Sequence, residues 1–177
     1  MKTVTVFILT ALGLCAQEFK IPLNIDKLAA KAVETVDVTL DAQMLKLAGN
    51  FLSTKKPDEA DAKNLVDGLK GIYVRSFEFA KPGEYSEADV ESLRAQLKAP
   101  LWTRVVGVKS KRDGDNTEVF LRSENNQITG LAVIAAEPKE LTIVHIAGSI
   151  RPEDLSRLGG QFGIPKIDVK PQPSDKK

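Results

Sequence analysis

A chain of 177 residues with 25 basic and 24 acidic side chains is almost neutral, so it has no general electrostatic pull toward nucleic acid or an anionic membrane. Its one cysteine, Cys15, excludes an internal disulfide, and its one histidine, His145, leaves only carboxylates to complete a zinc site or a catalytic triad.

The first sixteen residues read as an export leader: Lys2, an uncharged run over residues 4–14, then Cys15 and Ala16 before polar Gln17 and Glu18. The run is short for a bilayer span. Cleavage after Ala16 is the expected site, although Leu14 is bulkier than the usual alanine; it would leave 161 residues with 24 bases and 24 acids. In the alternative, Cys15 becomes a lipid-bearing first residue, since residues 12–15 (LGLC) follow a lipobox except at Leu14. The expected location is therefore periplasmic or secreted, with a lipid anchor to the envelope as the alternative. A membrane is a partner only if Cys15 is lipidated. A linker over 17–24, one domain over 25–165 and a polar, proline-containing tail over 166–177 complete the expected organisation.

Residues 25–33 carry Ile25, Leu28, Ala29, Ala32 and Val33 at helical spacing, with Asn24 placed to cap them. Residues 35–40 alternate, Val36, Val38 and Leu40 against Thr35, Asp37 and Thr39, which is the period of a half-buried strand. From Asp41 the apolar residues Met44, Leu45, Leu47, Ala48, Phe51 and Leu52 recur at helical intervals, making Met44 and Phe51 core candidates. Pro57 suits the first position of the next helix, whose stripe is Ala62, Leu65, Val66 and Leu69. Residues 72–79 (IYVRSFEF) read as a strand with both faces partly covered. Ser86 and Asp89 form a capping-box pattern with a shorter acid, opening a helix striped by Val90, Leu93 and Leu97 and ended at Pro100.

Four strands are expected at 101–110, 117–123, 128–136 and 141–150, joined by short polar connections that suit hairpins. A last helix is marked by Pro152, Leu155, Leu158 and Phe162 and closed by Gly159-Gly160 or Gly163. The sum is an α+β domain: a largely antiparallel sheet of about six strands ending in a four-stranded meander, with helices packed mainly on one face. Strand order is not readable; a parallel pairing of the early strands would need right-handed crossovers.

Four segments, residues 36–41 (VDVTLD), 73–79 (YVRSFEF), 101–106 (LWTRVV) and 137–144 (EPKELTIV), together resemble a family of exported bacterial proteins known as domain of unknown function 4252. The similarity runs over about 25–165. It implies export and a compact domain, and it carries no catalytic residue to this chain.

No nucleophile, base and metal constellation is visible, so no catalytic residue, metal or cofactor is assigned. His145, between Val144 and Ile146 in the most apolar strand, reads as a packed, hydrogen-bonded core histidine. The charged strand residues Arg75, Glu78, Arg104, Glu118 and Arg122 offer either a solvated sheet face with ion pairs or a polar groove whose arginines hold a carboxylate. Arg75 and Glu78 point to opposite faces, while Glu118 and Arg122 share one with Phe120. Trp102, expected on a face with Arg104, Val106 and Val108, is either a core anchor or a pocket wall that Tyr73 joins. The candidate binding set is thus Tyr73, Arg75, Trp102, Arg104, Glu118 and Arg122. Residues 113–116 (DGDN) have the composition of a calcium loop without its acid spacing, and read as a hairpin turn.

The expectation is a non-enzymatic envelope protein that binds another protein or a small ligand. One alternative is a hydrolase using paired carboxylates such as Glu78 and Glu118. Another is a lipid-anchored accessory protein of an envelope-sensing system.

Overall fold

The computed structural model describes residues 19, 23–52 and 55–158. The expected leader with Cys15, the expected closing glycines and the expected tail lie outside them. The described residues form a six-stranded sheet in the order β1-β2-β6-β5-β4-β3, antiparallel at every pairing. Its strands are β1 (Glu34–Asp41), β2 (Leu69–Glu78), β3 (Trp102–Lys109), β4 (Asn116–Glu124), β5 (Gln127–Ala136) and β6 (Glu140–Ile150). The last four are the expected meander, because tight turns can only return the chain antiparallel. Between β4 and β5, Asn125 and Asn126 both take positive φ (50° and 61°), the backbone of a two-residue hairpin turn. Residues 113–116 belong to the β3-β4 turn, where the Ser110 hydroxyl donates to Asp113 (2.8 Å) and Gly114 has φ 83°. β1 and β2 are neighbours but antiparallel, so the question of crossover handedness does not arise for them.

Helices cover both faces. One is covered by the longer elements α2 (Ala42–Asn50) and α3 (Pro57–Gly68) with α5 (Pro152–Leu158): Leu45, Leu65, Val66 and Leu155 pack on Val119, Leu131, Val133, Val144 and Ile146. The other carries a smaller layer. There α1 (Leu23–Asp26), the 3-10 turn Lys27–Ala30 that follows it, and α4 (Glu87–Arg94) bring Ile25, Leu28, Val90 and Leu93 onto Phe77, Phe120, Ile134 and Ile143. Each large side chain so buried contributes roughly 1.5–3 kcal/mol. The Asp41 carboxylate caps α2, accepting from the N–H groups of Gln43 (2.9 Å) and Met44 (2.8 Å). Ser86 donates its N–H and hydroxyl to Asp89, the capping box expected at α4.

Three expectations about burial fail for one reason: periodicity shows which residues share a face, not whether anything covers it. β1 is an edge strand, so Val36 and Val38 alternate as expected yet stand exposed. On α2 a narrow stripe, Leu45 and Gly49, is buried; Met44 is 52 % exposed, and Phe51, past the helix end, is 81 % exposed. The expected helix over 25–33 stops at Ala30, and Val33 is exposed. On β3 a bulge changes the faces. The register jumps between Arg104 and Val106, so Trp102 and Arg104 share a face while Val106 and Val108 turn to the other, against the expected grouping.

Candidate functional site

The face under α1 and α4 is a grid of cross-strand rows. One row runs Trp102, Arg122, Gly130, Ala147, Gly71 from β3 to β2; the next runs Arg104, Phe120, Ala132, His145, Tyr73. The glycines make room for large neighbours. A Cβ on Gly130 would lie 3.2 Å from the Arg122 stem and 3.3 Å from the Trp102 ring, and one on Gly71 would lie 2.7 Å from the Tyr73 hydroxyl. The Trp102 ring thus lies over Gly130 and the Tyr73 ring over Gly71, and the short Ala147 between the two glycines leaves a hollow. Its volume is about 440 Å³, within the usual range for small-ligand sites.

Bulges complete this end of the sheet. Against β6 the register jumps between Leu69 and Gly71 on β2, and against β4 it jumps between Gly130 and Ile128 on β5, leaving Lys70 and Thr129 as the extra residues, and both line the hollow. Between them Gly148 takes φ 134°, where a Cβ would sit 2.5 Å from the Leu69 Cα. Only glycine lets the two backbones approach this closely.

The lining is polar and incompletely paired. The Arg122 side chain is only 16 % exposed; one terminal nitrogen donates to Glu124 (2.7 Å), while its Nε–H is buried with no partner. The Thr129 hydroxyl is likewise buried and unpartnered. His145, 5 % exposed, stacks on Tyr73 (centroids 5.7 Å apart, planes 17° apart) and meets Phe19 edge-on at 5.0 Å and Trp102 at 6.0 Å. Burial, and then the charge of Arg122, pushes its pKa down from 6.5 to about 4, so the imidazole is neutral at pH 7. A neutral imidazole carries one donor and one acceptor, and His145 is among the residues lining the hollow.

At the other end of the same face the charges are saturated. Glu118 is buried between Arg94 of α4 and Arg104 of β3, which donates to it at 2.8 Å, and Arg94 also pairs with Glu87. Burial opposes the charge on Glu118, but the hydrogen bonds from Arg104 and Arg94 outweigh it and hold the carboxyl below its usual range. The shallow space beside this cluster is open and strongly charged.

The six expected binding residues thus separate into three places. Tyr73 and Arg122 line the hollow, and Trp102 backs it through His145. Arg104 and Glu118 belong to the saturated cluster. Arg75 pairs with Asp26 and Asp37 beside β1. Glu78 and Glu118 are not brought together: Glu78 is one residue from Phe77, which packs with Phe120 on the Glu118 face, so the two carboxylates point to opposite sides of the sheet. The pair proposed for hydrolysis does not form a site. Among the described residues no three His, Cys, Asp or Glu side chains converge as a metal site. Lys70, Glu124 and Thr129 had no sequence signal of their own, and His145 was read as a packed core residue; the signal that pointed to them was glycine inside strands, at 71, 130 and 148.

A family model described as a domain of unknown function (DUF4252) matches residues 30–158, the whole sheet and all but the first of its helices. The chain belongs to this family. No curated protein and no solved structure matches it. The matched span includes Arg122, His145 and both bulges, so the hollow lies within the family domain.

Proposed function

We propose that this DUF4252 protein is an exported binding domain and that its site is the hollow at the end of the sheet, where Arg122 holds the acidic group of a small ligand. One observation carries the reading: an arginine that lines the hollow keeps its Nε–H buried and unanswered. A buried donor without a partner costs roughly 1–3 kcal/mol, a cost that a ligand oxygen removes. The leader over residues 1–16 supports export, and the near-neutral surface supports a small ligand over nucleic acid.

Benzoate and acetate, each with its matched amide as control, titrated into the purified protein while the unfolding midpoint is followed, test the reading. A ligand at ten times its Kd adds about 1.4 kcal/mol of stability. The carboxylates should raise the midpoint, the amides should not, and Arg122→Gln should remove the difference. Carboxylates and amides acting alike would overturn it.

A further inference from the structure

We propose that Glu124 is a resident stand-in for the ligand's carboxylate, and that the ligand is a singly charged carboxylate which takes Glu124's place on Arg122. The inference rests on the reading of the hollow as a binding site and adds how that site is occupied.

Charge gives the first argument. Among the described residues the charged ones lining the hollow are Lys70, Arg122 and Glu124, a sum of one positive charge. With His145 neutral at pH 7, a monoanion balances the site while Glu124 remains nearby in water. A dianion such as phosphate monoester would leave it one charge in excess.

Geometry gives the second. A guanidinium presents two parallel N–H bonds to one carboxylate along its fork. Glu124 takes one terminal N–H at 2.7 Å and leaves Nε–H without a partner, so it is a monodentate occupant of a bidentate position. The β4–β5 register puts the bulge residue Thr129 opposite the step from Arg122 to Ser123, and its hydroxyl is also buried without a partner. A free carboxylate, unconstrained by the β4 backbone, takes Nε–H and Nη–H together.

Mobility gives the third. Arg122 is enclosed, whereas Glu124 is 37 % exposed and is the last residue of β4, next to the two-residue turn. Its carboxylate reaches water by a side-chain rotation alone. The ligand's body then lies on Ala147 beside the Tyr73 ring, which favours a flat molecule over a branched one.

The test compares benzoate, benzamide and phenylalanine by calorimetry on the intact protein, its Glu124→Gln variant and, should that variant fail to fold, Glu124→Ser. Removing the stand-in should tighten benzoate at least tenfold, with benzamide silent throughout. Benzoate binding to the native protein but equally or less tightly to Glu124→Gln would overturn the displacement and leave the site standing. Phenylalanine binding the native protein better than benzoate, and losing affinity in Glu124→Gln, would also overturn it by making Glu124 an ammonium partner. No probe binding to either protein would overturn the inference together with the site.

Discussion

Two arginine clusters share one face of this sheet, about 13 Å apart along β4 by strand rise, and they are built to opposite ends. Around Glu118 each charged group finds a counter-charge: two guanidinium groups converge on one buried carboxylate and hold a helix to the sheet. Around Arg122 the backbone is bulged at the β4–β5 pairing and, across the hollow, at β5–β6 and β2–β6, glycines replace side chains, and two polar atoms are buried without partners. Complete pairing marks a contact that serves the fold. Incomplete pairing over a hollow marks a place that the fold leaves for something else, since native interiors rarely keep buried donors unanswered.

This contrast can be broken from either side. The largest effect is expected at the scaffold of the hollow: Gly148→Ala places a Cβ against the β2 backbone at a φ that L residues avoid, and should cost more than about 4 kcal/mol or prevent folding, read by urea denaturation. At the saturated cluster, Glu118→Ala takes the buried carboxylate from both arginines but leaves Arg94 its more exposed partners Glu87 and Glu91, and should cost about 2 kcal/mol. Arg104→Ala, at a side chain 60 % exposed, should cost less than about 1 kcal/mol in the same assay. Neither change should affect carboxylate binding.

His145 sets a pH dependence of comparable size. The unfolded imidazole takes its proton near 6.5 and the folded one near 4, so above pH 6.5 the site has no effect on the balance. As pH falls from 6.5 to 4 the unfolded state binds the proton first, and stability should drop by up to about 3 kcal/mol. His145→Gln should flatten that window. The smallest stability change is expected for Arg122→Gln, within about 1 kcal/mol, because it removes a donor that was already unsatisfied. Its effect should appear in ligand binding alone.

The elements were legible in the sequence because each carried a local signal. The meander followed from four apolar runs and three polar turns, and α4 from its capping box. Strand order was not legible: β6 inserts between β2 and β5, a long-range pairing with no local signature. The burial of α2 and β1 was overread because Phe51 and Val36 have the right spacing but no neighbour at the sheet edge. For the site, Tyr73, Trp102 and Arg122 were visible as residues of the right chemistry, but their grouping was not. It depends on bulges at Lys70 and Thr129, which shift register without changing composition, and on His145, whose partners arrive from β2, β3 and residue 19.

With one histidine in the chain, its imidazole resonances report on the hollow alone. The most direct measurement is the shift of those resonances as benzoate is added at pH 7 to the native protein, to Arg104→Ala and to Arg122→Gln. The account predicts a saturable shift in the first two and none in Arg122→Gln; no saturable shift in the native protein, or an equal shift in all three, would contradict it.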